Sequence, residues 1–155
     1  MIDSPKTDQP LKAVEILLVE DSPADIALTR EALEDSKLHN NLYVVTDGDE
    51  AIAFLKKTGK YVSMPKPDLI LLDLNLPKKN GLEVLREVKA DSSLRLIPVV
   101  VMTVSKDEKD IVESYRLHAN CYIRKPVKFG DFIEIVKSIE DFWFSIVTLP
   151  PRPGT

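Results

Sequence analysis

Pro67-Asp68-Leu69-Ile70-Leu71-Leu72-Asp73-Leu74-Asn75-Leu76-Pro77 is the stretch whose reading decides the fold. Four aliphatic residues in succession, Leu69 to Leu72, describe a strand buried on both faces, the pattern of a parallel sheet core. The run ends on a carboxylate, Asp73, and Pro77 then stops any ladder pairing. Open α/β sheets place their chemistry at the carboxyl ends of their strands. An ionisable residue there either caps the following loop or belongs to a site, and the rest of the chain has to decide.

Upstream, Ile16-Leu17-Leu18-Val19 is a second buried strand that ends in carboxylates, Glu20 and Asp21. Ser22-Pro23 follows as N-cap and first helical residue. Ala24, Leu28 and Ala32 at i, i+4 and i+8 give that helix an expected apolar face. Leu42 to Thr46 reads as a strand closed by Asp47-Gly48, a turn signal. Glu50 to Lys57 reads as an amphipathic helix through Ala51, Ile52, Phe54 and Leu55. Downstream, Asn80-Gly81 opens a helix with Leu82, Leu85 and Val88 expected inward. Pro98 to Met102 is the fourth strand, ending on the hydroxyls Thr103 and Ser105. A helix over 107–119 turns Ile111, Val112 and Tyr115 inward. The fifth strand, Cys121-Tyr122-Ile123, leads into Arg124-Lys125-Pro126, and a last helix runs from near Phe129 to about Val147. Strand and helix alternate five times without repeat or linker. The pattern predicts one α/β domain, a doubly wound five-stranded parallel sheet of flavodoxin-like order 2-1-3-4-5 with an extended C-terminal helix. Residues 13–147 form the domain, flanked by a flexible tail at 1–12 and a proline-rich tail at 148–155.

The bulk composition narrows the function. The 155 residues are 44% apolar and 30% charged, as in soluble globular proteins. A net charge of −4 offers no basic surface for nucleic acid or an anionic membrane. A single cysteine, Cys121, allows no internal disulfide and no thiolate zinc site, and is read as a small core residue. There is no signal-like apolar run at the start and no stretch near the ~20 apolar residues that span a bilayer. A cytoplasmic protein is expected. His39 and His118, the two histidines, are assigned to the surface or to helix ends. Pro150-Pro151-Arg152-Pro153 is assigned to the tail rather than to a ligand motif. Lys78-Lys79 either shapes a surface seen by a partner or is a solvated loop.

Gathered at the strand ends are Glu20, Asp21, Asp73, Thr103 and Lys125. In order 2-1-3-4-5 the first and third strands are neighbours, so the three carboxylates converge and repel unless a cation sits among them. Oxygen donors alone suit Mg²⁺ rather than zinc. Lys125 adds a fixed positive charge and Thr103 a hydroxyl, the electrostatic clamp that phosphoryl transfer needs. Asp73 is the natural nucleophile, since a carboxylate can carry a phosphoryl group as an acyl phosphate.

With these pieces in order, the chain resembles the receiver domain of two-component response regulators. The matching segments are Glu20-Asp21, Asp73-Leu74-Asn75-Leu76-Pro77 with Gly81, Val101-Met102-Thr103, and Tyr122-Ile123-Arg124-Lys125-Pro126. Within that family, Leu117 to Tyr122 and Asp141 to Pro150 look like the single-domain regulators of cyanobacterial phytochromes. The resemblance implies that Asp73 accepts phosphate from the phosphohistidine of a sensor histidine kinase, a phytochrome in this case. It implies Mg²⁺ bound through Asp21 and Asp73, through Glu20 by way of water, and through the backbone carbonyl of Asn75. It also implies that Thr103 and Lys125 contact the phosphoryl oxygens and that Tyr122 is an aromatic switch coupled to Thr103. The face that would change is the one built by helix four, strand five and helix five. Asn75 and Ser105 take the positions that tune the lifetime of the phosphorylated state. Two departures stand out: Val104 replaces a small residue and bears on the switch, and Val127 stands where phenylalanine is common.

The last helix carries more apolar surface than one core contact uses. Phe132, Ile135, Ile139, Phe142, Trp143 and Ile146, with Ile133, Val136, Phe144 and Val147, sweep roughly 200°, against the ~100° of a singly packed helix. A homodimer through this helix, with strand five and helix four, is expected. The alternative is that the extension folds back on its own domain. The resulting functional expectation is a phosphorylatable receiver without an output domain, acting through a downstream effector or a phosphotransfer partner and turning over no external substrate. Two rivals stand beside it. One is a receiver-like binding module that is never phosphorylated. The other is a Mg²⁺-dependent aspartyl-phosphate phosphohydrolase, disfavoured because Asn75 stands where a second acid belongs. A nucleotide-binding flavodoxin-like protein is disfavoured by five glycines and no Gly-rich loop after the first strand.

Overall fold

The computed structural model describes residues 13–35, 39–103, 108–119 and 121–124. In chain order these form β1 (Val14–Val19), α1 (Pro23–Asp35), β2 (Asn40–Val45), α2 (Gly48–Leu55), a 3₁₀ turn (Gly59–Tyr61), β3 (Leu69–Leu72), α3 (Gly81–Ala90), β4 (Val99–Thr103), α4 (Glu108–Arg116) and β5 (Cys121–Arg124). All strand pairs are parallel and the sheet order is β2-β1-β3-β4-β5, as the alternation predicts. No helix among the described residues is long and apolar enough to cross a membrane. The N-terminal tail, Val104, Ser105, and everything from Lys125 on, including the expected last helix with its dimer residues, lie outside the described residues.

The aliphatic runs divide by strand periodicity. Leu17, Val19, Ile70, Leu72, Val99 and Val101 face α2 and α3, where they meet Ala51, Phe54, Val84, Leu85 and Val88. Ile16, Leu18, Leu69, Leu71, Val100 and Met102 face the other way and pack with Ala32 and Leu33 of α1. Both faces of the central strands β1, β3 and β4 are therefore closed to water over these runs. That is why Ile16 to Val19, Leu69 to Leu72 and Val99 to Met102 are unbroken apolar runs, at on the order of 1.5–3 kcal/mol for each large side chain buried.

Local chemistry starts the helices where the sequence signals them. Ser22 Oγ accepts from Asp25 N–H (3.3 Å), capping α1. Asn80 and Glu83 form a reciprocal capping box on α3. Three expectations need correction. Asp47-Gly48 is not a turn but the start of α2, with Asp47 Oδ1 accepting from Glu50 N–H at 2.8 Å. The buried face of α1 is Thr29, Ala32 and Leu33, while Ala24 is exposed. Thr29 can be buried because its hydroxyl donates to the Asp25 carbonyl (2.8 Å). On α4, Val112 and Tyr115 point outward, 64% and 51% exposed, and Ser114 is the fully buried residue. His39 and His118 are exposed, His118 in a left-handed conformation just past α4.

Lys89 braces the connection from α3 to β4. Its Nζ donates to the carbonyls of Arg95 (3.0 Å) and Ile97 (2.9 Å). Burial pushes this ammonium down from 10.5 to about 8. Between those values the unfolded chain holds a proton that the folded chain has released, so stability rises with pH across that window. We expect urea denaturation of Lys89→Met to show a flatter rise over the same window than the wild type.

Candidate functional site

Register puts the strand ends side by side. Val19 pairs with Leu72 and Leu72 with Val101, so Glu20-Asp21, Asp73 and Thr103 arrive at one edge of the sheet. Backbone bonds extend the ladder one residue further: Asp73 N–H donates to Val19 O and Glu20 N–H to Val45 O, both at 3.0 Å. One carboxylate oxygen from each of Glu20, Asp21 and Asp73 consequently lies within 4.8 Å of the other two. Glu20 and Asp73 are buried, 4% and 7% exposed, and Asp21 is open to solvent.

Two amides orient the buried carboxylates. Ser22 N–H donates to Glu20 Oε2 (3.2 Å) and Asn75 N–H to Asp73 Oδ1 (3.0 Å). These bonds fix the direction of each carboxylate. Convergent, partly buried oxygen donors with one open side fit a hard divalent cation, and the donor set includes no thiolate or imidazole.

The loop from Asp73 to Asn80 closes tightly. Gly81 N–H donates to Leu74 O (3.0 Å). A Cβ on Gly81 would fall 2.4 Å from the Asp73 carbonyl oxygen and 2.5 Å from Leu74 Cα, so only glycine lets α3 begin there. Asn75 is exposed in this loop. Tyr122 is half-buried on β5, packed against the cluster shared by β4, α2 and α3. The backbone of Thr103 ends β4 beside Arg124, and Lys125 is the residue that follows.

Sequence reasoning missed three supports of this loop: Asp47, Gly48 and Lys78. Lys78 Nζ pairs with Asp47 Oδ2 at 3.6 Å, and Lys79 pairs with Glu87 of α3, so neither lysine is a merely solvated residue. Asp47 followed three residues later by Glu50 is a helix-start signal that could have revealed the first two.

A buried acidic cluster at the switch point of a 2-1-3-4-5 sheet is the arrangement of a receiver, and residues 16–137 match the response regulator receiver domain. The chain belongs to that family. It is 51% identical over 135 residues to Response regulator Rcp1 of Synechocystis sp. (strain ATCC 27184 / PCC 6803 / Kazusa), covering 87% of this chain and 92% of that protein. Among solved structures, the phosphorylated cyanobacterial phytochrome response regulator RcpA superposes with a TM-score of 0.85 at 51% identity. That match covers 90% of this chain and all of RcpA. The Mn²⁺-bound form of Rcp1 gives 0.83 at 50% identity, over 89% of this chain and 99% of Rcp1. The family is one of signalling receivers, not of metabolic enzymes.

Crowding of like charges gives the site a measurable signature. Asp73→Asn keeps an oxygen for the Asn75 amide and removes one negative charge. In the presence of a chelator we expect it to unfold about 1 kcal/mol later than the wild type. A divalent cation at a hundred times its Kd should stabilise the wild type by about 2.7 kcal/mol and the variant by less. Denaturation in EDTA and in MgCl₂ checks both.

Proposed function

We propose that Asp73 accepts a phosphoryl group from the phosphohistidine of a sensor histidine kinase. Likeness to Rcp1 and RcpA makes a phytochrome the natural donor. The observation that carries this reading is the convergence of Glu20 and Asp21 on a buried Asp73 at the carboxyl end of β3. An Asp73 carboxylate oxygen attacks phosphorus, and the bond from phosphorus to the imidazole nitrogen breaks with its electron pair returning to the ring. An aspartyl phosphate is left, and water later cleaves it to inorganic phosphate and free carboxylate.

Each residue of the chain has a part. Glu20, Asp21, Asp73 and the Asn75 carbonyl would hold Mg²⁺, which when bound offsets the charge gathered by the carboxylates and the phosphoryl oxygens. The Asn75 amide fixes Asp73 Oδ1, leaving attack to be set by the orientation of the carboxylate plane. Thr103 at the end of β4 and Lys125 just past β5 supply the hydroxyl and ammonium for the phosphoryl oxygens. Tyr122 couples that event to the surface of α4, β5 and the residues beyond. Exposed Val112 and Tyr115 on α4 support a dimer that uses this surface together with Phe132, Ile135, Ile139, Phe142, Trp143 and Ile146. The setting is the cytoplasm, where the kinase domain of a sensor works.

Intact mass after incubation with acetyl phosphate tests the reading. The wild type should gain one phosphoryl mass only with Mg²⁺ present, and Asp73→Asn should gain none. Wild-type protein that stays unmodified while folded would sink the assignment. Sedimentation at micromolar concentration should show a dimer that Trp143→Ala weakens.

A further inference from the structure

The loop that carries the acceptor rests on a helix outside the site. Pro77 O accepts a long bond from Gly48 N–H (3.5 Å), where α2 begins. The approach is backbone to backbone: a Cβ on Gly48 would lie 1.8 Å from the carbonyl oxygen of Lys79 and 2.6 Å from its carbonyl carbon. Between those two contacts, Lys78 holds φ 64°, a left-handed conformation that residues other than glycine seldom adopt. Such a conformation persists only where the surroundings over-determine it.

Asp47 faces this loop from the helix side. One oxygen of that carboxylate caps α2 through Glu50 N–H, and the other pairs with Lys78 Nζ. A single buried side chain therefore joins helix and loop. The helix is a firm seat, because Ala51, Phe54 and Leu55 are buried and the Phe54 ring lies between Tyr43 (5.6 Å) and Tyr61 (5.3 Å). At the other end of the same loop, Asn75 N–H orients Asp73 Oδ1. The loop that includes Lys78 thus also carries the amide that orients Asp73.

We propose that Gly48 and the Asp47–Lys78 ion pair are positioning residues for Asp73, seating its loop on the first turn of α2 in the conformation that accepts a phosphoryl group. The proposal rests on Asp73 being the acceptor. It makes a distinctive demand: removing either of two opposite charges must have the same effect. If Lys78 acted on the donor through its field alone, loss of Asp47 would have the contrary effect.

The test is the rate of phosphoryl gain from acetyl phosphate in Mg²⁺, followed by intact mass for full-length protein. Asp47→Asn keeps the capping oxygen. It and Lys78→Met should each slow the gain roughly twofold to fivefold, the range set by an exposed ion pair. The double variant should be no slower than the slower single one. Lys78→Arg, which keeps the charge, should react at the wild-type rate. The gap between wild type and these variants should narrow as salt is raised. Gly48→Ala forces the loop backbone off its seat and should cost roughly ten- to a hundredfold. That variant is at risk of misfolding, so Asp47→Asn and Lys78→Met decide the matter. Wild type that gains a phosphoryl group, with these two shifting in opposite directions or matching it, overturns the seat and leaves the acceptor standing. Wild type that gains none removes the acceptor reading and the seat with it.

Discussion

Repulsion among three carboxylates is the constraint around which this structure is arranged. Glu20, Asp21 and Asp73 each bring one carboxylate oxygen within 4.8 Å of the others, and Glu20 and Asp73 are buried residues. Isolated carboxylates avoid such company, and in a low-dielectric setting the cost grows. The fold imposes it through backbone geometry. β1 and β3 pair in a register that sets Val19 against Leu72, and the Asp73 amide continues that ladder to Val19 O. Amides from Ser22 and Asn75 relieve part of the charge, and a cation at the open side by Asp21 would relieve the rest.

That imposition is possible because the sheet beneath is ordinary and strong. Its aliphatic strands are buried on both faces, and each layer meets helices whose caps are satisfied by their own first turns. A core of this kind tolerates local penalties at its rim, where strained and charge-crowded residues gather at functional sites. Several such penalties gather at the edge where β1 and β3 end. They comprise a left-handed Lys78, two helix starts that exclude a Cβ at Gly48 and Gly81, and the acidic cluster itself.

The legible part of the sequence was the part governed by a single strong signal. Runs such as Leu69 to Leu72 have no amphipathic alternative, so strand order and the carboxylates at strand ends could be read without coordinates. Helix faces were less legible. Ala24, Leu28 and Ala32 share one face by spacing, yet the sheet is met by Thr29, Ala32 and Leu33, because a threonine hydroxyl bonded to the Asp25 carbonyl carries little polar cost. On α4 the small residue Ser114 goes inward and the larger Val112 and Tyr115 stay out. Close packing against β5 selects for size where periodicity sees only hydropathy. Asp47-Gly48 was misread for a related reason: the same dipeptide serves a turn or a helix start, and the choice depends on a loop thirty residues away.

The two glycines show how far the site's precision depends on atoms that are missing. Gly81 lets α3 start against the Asp73 carbonyl, and Gly48 lets α2 start against the Lys79 carbonyl. Each helix N-terminus is thereby pressed onto one end of the loop that carries Asp73. The loop is held from two sides by backbone, with Lys78 to Asp47 and Lys79 to Glu87 as charged ties on either flank. Backbone contacts of this kind leave little slack, whereas the exposed charges can yield. A carboxylate on a loop held in this way has its direction set by the fold itself. Movement of α2 or α3 would then shift the loop and Asp73 with it, and the proposed phosphoryl transfer would depend on helices that do not touch the phosphoryl group.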